Sequence, residues 1–422
     1  MRAARMIRQL CESCSTRVHS ARFRAVVRVV EGITLSQRSS VTAIGRVRPG
    51  NQKARHGIKA VDRLLSNTKL QREQRAWWTA LAGQLIKAER RVLVLLDWTQ
   101  LAGEMWALVA AIPFRGRSLP LLAQSYPASE VGSREKQVEF LWRLRQILPE
   151  QCQPVIVADG GFRSPFFIAC QSLGMRYVIR LRNERGVLEH EDGCRISFAQ
   201  AFAGATAVAK CLGDGRPYAS SSDSRQMRIV LGPRPKQRRG RRSAQDYQRK
   251  RATEPWLLAT NLENESAQSI VNIYAQRMQI EECFRDAKCP RFGWALKFAL
   301  TKSHARMNVL LMLLSLAFAC VVLLGAAAVE LGWEKSLRAS SLRRRVLSVF
   351  TVGSLVARSR LLSQIRLQTV YKQLKALRRD GRAHFPKLTP PRSQNRNVSL
   401  PLPHGLFCTD CGWRGAEYGW PP

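Results

Sequence analysis

Acidic residues are scarce in this sequence. Its 422 residues include 30 Asp and Glu against 69 Lys and Arg, which leaves a formal net charge of +39 at pH 7. The excess is spread along most of the sequence, which excludes a near-neutral protein with a basic tail. A field of this sign makes a polyanion the expected partner, and nucleic acid is the commonest one. Ribosomal and membrane-surface proteins can carry the same charge, but they rarely need so many apolar residues, here 45%.

The sequence also lacks the pattern of a disulfide-bonded or zinc-finger protein. It has 11 cysteines, an odd number, and no recognisable cleavable signal peptide, so we expect free thiols in a reducing cytoplasm. Two CxxC pairs, Cys11/Cys14 and Cys408/Cys411, lie near opposite ends of the sequence. Neither has a second pair or a His at zinc-finger spacing beside it, which argues against a shared zinc site.

Only one long run, residues 309–329, is apolar or small throughout. It is long enough to cross a bilayer, and a fully buried helix at the centre of a domain has the same composition. We favour the buried helix. The stretch just before the run carries candidate catalytic residues, and a site that close to a bilayer could hardly serve duplex DNA.

Two shorter apolar runs, residues 92–96 and 154–158, each end at an aspartate. Continuous apolar runs of this length are typical of strands that are buried on both faces. A single aspartate after such a strand is more often a turn or cap residue than a catalytic one. Two of them, Asp97 and Asp159, indicate catalysis more strongly if their strands lie side by side.

The order of the predicted elements brings those two strands together. A hairpin signal lies at 115–117, between strands at 105–113 and 118–126; an amphipathic helix covers 133–148, and a helix and a strand follow at 165–173 and 176–181. This is the element order of an RNase H-like fold, of mixed α/β class. Its first and fourth strands are neighbours, so Asp97 and Asp159 are predicted to share a divalent metal ion, whose charge removes their mutual repulsion.

The chain is predicted to divide into five regions. They are a helical DNA-binding domain at 1–88, the first part of the RNase H-like catalytic core at 89–181, a β-rich insertion with a basic loop at 182–255, the second part of the core with its catalytic helix at 256–335, and a basic helical C-terminal region with an irregular tail at 336–422. The basic loop contains Lys236, Arg238, Arg239, Arg241 and Arg242. Such a run is either a solvated charge cluster or a phosphate-contacting loop.

Residues 274–288 are predicted to form one helix that carries a third carboxylate. At about 100° per residue, Tyr274, Arg277, Glu281 and Lys288 fall within a sector of roughly 60°. An apolar stripe in the neighbouring sector would dock the helix on a core. A lone Glu among two cations and a phenol suits a metal ion held beside a phosphate. The simpler alternative is an ordinary i,i+4 ion pair between Arg277 and Glu281 on a solvated face.

These residues together resemble a known family. With Asp97, Asp159 and Glu281 in this order, and the spacing Tyr-x2-Arg-x3-Glu-x6-Lys from Tyr274 to Lys288, the sequence is similar to the DDE transposases of bacterial insertion sequences, in the branch named YREK after that signature. The likeness runs through residues 61–67, 92–100, 116–121, 154–166, 254–262 and 271–288. It covers roughly residues 50–335, whereas the tail from about 370 has no counterpart that we recognise.

The resemblance implies a cut-and-paste recombinase. Asp97, Asp159 and Glu281 would hold two Mg²⁺ ions, for which Mn²⁺ can substitute, and Tyr274, Arg277 and Lys288 would hold phosphates at the transposon end. Trp256 would stack on a flipped base during formation of a DNA hairpin, with ordinary core packing as the alternative. The partners would be double-stranded DNA, both transposon ends and target, and a second copy of the chain in the paired-end complex. The protein would act in the cytoplasm, at the nucleoid.

Two other functions fit the same residues. One is another metal-dependent nuclease on the same fold, such as a resolvase. The other is a catalytically inactive transposase kept as an end-binding repressor. The presence of all three acids and of the signature argues against the repressor.

Overall fold

A mixed sheet of ten strands is the centre of the protein in our computed structural model, which describes residues 3–47, 53–86, 91–162, 164–182, 186–190, 192–217, 226–235, 254–339, 341, 345–380, 407–408 and 413–414. The strands are β1 (Arg91–Gln100), β2 (Met105–Phe114), β3 (Arg117–Pro127), β4 (Gln153–Ala158), β5 (Arg176–Leu181), β6 (Val187–His190), β7 (Arg195–Ser197), β8 (Lys210–Pro217), β9 (Met227–Leu231) and β10 (Leu257–Thr260). Their order across the sheet is β3-β2-β1-β4-β5-β10-β9-β8-β6-β7.

The first five strands have the arrangement that the sequence predicts. β1 pairs with β2 in antiparallel fashion and with β4 in parallel, and β4 pairs in parallel with β5. β1 and β4 are therefore neighbours, as expected of an RNase H-like sheet. The apolar run of each strand is buried on both faces, as is typical of parallel strands in a sheet that helices cover.

The β2–β3 hairpin forms at the predicted turn. Arg115 and Gly116 both have positive φ, 50° and 82°. A two-residue loop with both central residues in this region suits the right-handed twist of the strands that it joins. The Gln279 side chain accepts a hydrogen bond from the Gly116 N–H at 3.0 Å, which ties the turn to the helix Met278–Lys288.

The segment between β5 and β10 extends the same sheet. β10 lies antiparallel to β5, and β9, β8, β6 and β7 follow outward from it. The predicted basic loop, with Lys236, Arg238, Arg239, Arg241 and Arg242, lies outside the described residues.

Helices form most of the described chain before β1 and most of residues 267–380, and several of them pack on the sheet. The α-helices are Ala3–Leu10, Ser20–Ser36, Val41–Arg46, Ala54–Leu65, Thr68–Leu85, Arg134–Ile147, Ser164–Ser172, Phe198–Ala203, Ala267–Ala275, Met278–Lys288, His304–Glu330, Glu334–Leu337, Val349–Arg358 and Leu367–Asp380. Short 3₁₀ turns occur at Glu12–Cys14, Ala128–Glu130, Leu296–Phe298 and Arg360–Gln364, and in the tail Phe407–Cys408 pairs with Trp413–Arg414.

The long apolar run forms the helix His304–Glu330, which we call the central helix. Its residues 307–328 are all buried, packed against β3 and against helices from both ends of the chain. It is long and apolar enough to cross a membrane. Its most apolar stretch, however, is entirely buried inside the protein, and the core helix of a soluble protein can have the same length and composition. The helix Val349–Arg358 crosses it so closely that a Cβ added at Gly325 would lie 1.8 Å from the carbonyl oxygen of Val349.

The N-terminal helices share this core. Backbone and side-chain bonds join residues 37–39 to Gly293 and Trp294: the Arg38 guanidinium donates to the Gly293 carbonyl at 3.0 Å, the Ser39 N–H donates to the Trp294 carbonyl at 2.9 Å, and the Trp294 indole N–H donates to Gln37 at 2.7 Å. The described part of the N-terminal region thus packs on the core directly. The predicted domain boundaries, and a DNA-binding role for residues 1–88, stay predictions.

Candidate active site

Asp97 and Asp159 lie beside each other because of the register between their strands. The last parallel pair joins Leu96 to Ala158, and each aspartate is the next residue. β1 does not end at Asp97, as the sequence suggested, but runs on to Gln100 while it stays paired with β2. Asp97 therefore lies where β1 leaves β4, and its carboxylate accepts a hydrogen bond from the Trp98 N–H at 2.9 Å.

The helix predicted from Tyr274 to Lys288 is interrupted. The structure has one helix at Ala267–Ala275 and a second at Met278–Lys288, which we call the signature helix. At the junction the N–H groups of Gln276, Arg277, Gln279 and Ile280 each bond to the carbonyl three residues back instead of four. These tighter turns advance the chain by more than 100° per residue, so the predicted single sector is wrong in detail.

One guanidinium joins the three predicted catalytic acids. Arg277 Nη1 lies 2.8 Å from Asp97 Oδ2, and Nη2 lies 2.5 Å from Glu281 Oε1 and 3.9 Å from Asp159 Oδ2. We call Asp97, Asp159 and Glu281 the carboxylate cluster. The i,i+4 pair with Glu281 that the sequence offered as the simpler alternative is present, but it is one part of a four-residue arrangement between two strands and a helix.

The acids of this cluster differ in their electrostatics. Burial raises the pKa of Asp97 to about 6, with Asp159 and Glu281 adding to the effect and Arg277 opposing it. Burial acts in the same direction on Asp159, but Arg277, the Gly160 N–H and two further arginines on or next to β5, Arg180 and Arg182, together hold its pKa below the ordinary value. Of the two aspartates, Asp97 is therefore the one whose ionised form burial disfavours on balance.

Tyr274 and Lys288 lie beside the cluster, where Tyr274 bonds to the acid after β4 and Lys288 bonds to β1. The Tyr274 hydroxyl donates to Asp159 Oδ1 at 3.3 Å, and burial raises its pKa. Lys288 Nζ donates to the Thr99 hydroxyl at 2.8 Å, on β1 just beyond Asp97. Burial lowers the pKa of Lys288, while Asp97 opposes that change. All four signature residues therefore come together around the ends of β1 and β4.

Trp256 belongs to the same group of side chains through Tyr274. Its half-buried ring meets the Tyr274 ring edge-on, with centroids 4.8 Å apart and planes at 70°. This contact is the packing that the sequence offered as the alternative to base stacking. A role in stacking on a flipped base stays a prediction.

Sequence reasoning missed several residues that support the site. Arg180 is buried on β5 and pairs with Glu254 at 3.6 Å, and its positive charge lowers the pKa of Asp159. A lone arginine inside the apolar run of β5 was the signal for it. Asp286 bonds to Arg117 Nε at 2.5 Å and so fastens the signature helix to β3. Gln137 donates to the Gly161 carbonyl at 3.2 Å and holds the turn after Asp159.

The donor set suits a hard divalent cation, but in this structure the acids face Arg277. Three carboxylates around one point are ligands that Mg²⁺ prefers. Among the described residues, however, no group of three or more His, Cys, Asp or Glu side chains is arranged to hold a metal ion. Arg277, 8% exposed, supplies the positive charge that a metal ion would bring. Chemically, the arrangement can hold a divalent cation once this guanidinium has moved.

Comparison with models of protein families gives a match. The model of a family described as "Transposase DDE domain" matches residues 108–318, which is half of the chain. The match includes Asp159 and Glu281 and begins after Asp97, so the case for Asp97 rests on its place beside Asp159 in the sheet. A search of curated proteins found no match.

Proposed function

The chain belongs to the family of transposases with a DDE domain, and we propose that it cuts an insertion sequence out of DNA at its terminal repeats and joins the freed 3′ ends to target DNA. The observation that carries this proposal is the convergence of Asp97, Asp159 and Glu281 on one cation at the ends of two neighbouring strands. The finer placement in the YREK branch, near the transposase of the insertion sequence that flanks the tetracycline-resistance composite transposon, is part of the proposal.

The carboxylate cluster would provide the metal site. DDE transposases generally use divalent metal ions, and Asp97, Asp159 and Glu281 would hold two Mg²⁺ ions here. When bound, such ions supply the charge that activates a water or a 3′-hydroxyl and stabilises the oxygen that leaves the phosphorus. Every step of cutting and joining is the same in-line displacement at a phosphodiester, so one cluster can serve all of them.

Arg277 would change partners during the reaction. In the structure it pairs with all three acids, and its single positive charge offsets part of their negative charge. With those acids holding cations, its guanidinium would be available to donate charge-assisted hydrogen bonds to a phosphate of the transposon end. Tyr274 and Lys288, on either side of it, would hold neighbouring phosphates.

The reaction would proceed in steps that differ in the group that attacks the phosphorus. Water would cut one strand first and release a 3′-hydroxyl. That hydroxyl would attack the opposite strand and close a hairpin, which a second water would reopen before the ends join the target. Trp256 would stack on a base that leaves the helix at the hairpin. The two ends would be held by two copies of the chain, at the nucleoid.

The test is incubation of the purified protein with the end DNA of its own element and Mg²⁺, followed by denaturing gel analysis over time. We expect a nicked strand first, then a hairpin, then excised DNA. A reaction that stops at specific end binding, with no cut strand at any Mg²⁺ or Mn²⁺ concentration, would favour the end-binding repressor instead. Cutting without a hairpin and without preference for the ends would favour another nuclease.

A further inference from the structure

The segment that follows the signature helix turns several apolar side chains to the solvent. Phe292 is 75% exposed, Phe298 is 55% exposed and Leu300 is 96% exposed. We call these three residues the outward ridge. Large apolar side chains with this exposure, gathered within one short segment, are a sign of an interaction surface.

The ridge stands on a fixed base. Trp294, which lies between the two phenylalanines in sequence, is 1% exposed and packs against Phe318 and Phe350. Its backbone N–H donates to the Asp286 carbonyl at 2.9 Å, and its carbonyl accepts from Ser39. The segment therefore already contributes an aromatic residue to the core. The outward position of Phe292 and Phe298 is a property of a well-anchored turn.

Cations accompany both rings. The Arg291 guanidinium carbon lies 5.3 Å from the centroid of the Phe292 ring, and Lys297 Nζ lies 5.0 Å from the centroid of the Phe298 ring. Both distances fall within the range of cation–π attraction. A surface of alternating rings and cations fits a ligand that offers flat apolar faces and negative charge together, which is the chemistry of a nucleic acid strand with open bases.

An open cleft lies between Lys288, beside the active site, and Lys297, next to Phe298. It has a volume of about 490 Å³ and is lined by the turn at 100–103, by Arg285, Lys288 and Cys289, and by Pro290 and Lys297. No acidic residue is among these lining residues, although Arg285 also pairs with Glu282 at 3.0 Å. We call it the basic cleft. Lys288 on its wall bonds to Thr99, two residues beyond Asp97, so one end of the cleft lies close to the carboxylate cluster.

From these contacts we infer that Phe292 and Phe298 stack on bases of a DNA strand that is unpaired next to the cut, while Lys297 and Arg285 hold the phosphates of that strand in the basic cleft. The inference rests on the proposed function and extends it, because closure of a hairpin requires bases to leave the duplex. Bases inside a duplex are stacked on each other and offer the rings no face, so the ridge should distinguish single strands from duplex DNA.

The test compares two labelled probes by fluorescence anisotropy in the absence of divalent metal: the single strand dT20 and a 20-base-pair duplex of mixed sequence. Stacking contributes about 1–3 kcal/mol per base. The double variant Phe292→Ala/Phe298→Ala should therefore lose affinity for dT20 by at least about tenfold, by the conversion of 1.4 kcal/mol to a factor of ten. Its affinity for the duplex should change by less than about threefold.

Lys297→Gln separates the phosphate contact from stacking. It should weaken binding of both probes. For dT20 it should also reduce the slope of the logarithm of affinity against the logarithm of salt concentration by about 0.7. The phenylalanine variant should leave that slope unchanged. Leu331→Ala and Lys335→Gln are matched controls, because both residues are exposed and lie beyond the far end of the central helix, a helix roughly 40 Å long. Neither control should alter binding to dT20.

Equal losses on dT20 and duplex, or no loss on dT20, would overturn the inference. If the phenylalanine variant instead changes only the sedimentation of the free protein, the ridge contacts a second copy of the chain and the inference is wrong. The binding test needs no cleavage. If the selective loss on dT20 is found in a protein that never cuts its end DNA, the inference stands and the proposed function fails.

Discussion

Arg277 is the residue on which the carboxylate cluster depends in the metal-free protein. Its side chain is 9% exposed and contacts two acids within 2.8 Å. Helical periodicity predicted its nearness to Glu281, since both lie on one helix four residues apart. Its contact with Asp97, which is 180 residues away in the chain, depends on how the helix docks against β1. A pattern read along one helix contains no information on that docking.

Replacement of Arg277 by Gln should therefore destabilise the metal-free protein and favour the metal-bound one. Loss of the cation leaves three carboxylates facing each other, which should lower the free energy of unfolding by on the order of 2–4 kcal/mol. This is less than for a fully buried pair, because Asp159 and Glu281 are partly hydrated. Addition of Mg²⁺ should then raise the melting temperature of Arg277→Gln by more than that of the wild type, measured by differential scanning fluorimetry.

The control for Arg277→Gln is Arg285→Gln, which removes an exposed arginine from the same helix. It should leave both the metal-free stability and the response to Mg²⁺ near those of the wild type. An Arg277→Gln protein that gains no more from Mg²⁺ than the wild type would show that the guanidinium and the metal do not compete for the acids.

Asp286 gives the fold a dependence on pH. Burial raises the pKa of Asp286 to about 6, although Arg117 opposes the change; the ordinary value in an unfolded chain is about 3.9. Because the folded value is the higher one, the folded protein holds this proton more tightly. The stabilisation is fully present below about pH 4 and is lost as the pH rises towards about 6.

The Asp286→Asn variant has no carboxyl group at this position that could ionise, so it does not lose this stabilisation as the pH rises. The free energy of unfolding of the wild type, relative to this variant, should therefore fall by about 2 kcal/mol between about pH 4.5 and about pH 7.5, as measured by urea unfolding. Glu282→Gln, which removes the other carboxylate near Arg117, controls for the loss of a partner of that arginine. A relative stability that rises with pH would mean that the ion pair with Arg117 outweighs burial.

At the scale of elements, the sequence predicted the hairpin, the strand pair and the central helix because each depends on a local pattern. Buried strands require continuous apolar runs, and the turn at residues 115–116 requires a residue such as Gly116 that tolerates positive φ. The break at Gln276 and Arg277 was missed because neither Pro nor Gly marks it. Arg277 has ordinary helical backbone angles. The break is visible only in the backbone hydrogen bonds, which span three residues instead of four.

The crossing of the central helix and the helix Val349–Arg358 is another feature that no single pattern shows. Gly325→Ala should destabilise the protein by at least about 2 kcal/mol, because its Cβ would overlap the Val349 carbonyl. Gly83→Ala is the matched control: it also lies within a helix, but a Cβ there meets nothing within 4 Å. That substitution should stabilise the helix by about 0.5–1 kcal/mol. Thermal unfolding of the two variants measures both changes in stability. Equal changes would contradict the close crossing of the two helices.

At the scale of the whole molecule, apolar residues of the N-terminal helices, the sheet and the C-terminal helices form one core around the central helix. Composition predicted a basic protein with a substantial core, and the order of elements predicted the class of sheet. The way residues 37–39 bind the turn at Trp294 could not be predicted, since it joins segments that are 255 and 257 residues apart in the chain. Through this turn the N-terminal helices support both the signature helix and the outward ridge.

We propose that Asp97, Asp159 and Glu281 together cut DNA. The most direct measurement is the single-turnover rate of Mg²⁺-dependent cleavage of end DNA by Asp97→Asn, Asp159→Asn and Glu281→Gln, with binding measured in parallel by gel shift. Glu282→Gln, the adjacent acid of the same helix, is the control. We expect each of the three variants to bind the end DNA without cutting it, and the control to cut like the wild type. Cleavage at the wild-type rate by any of the three would contradict the claim.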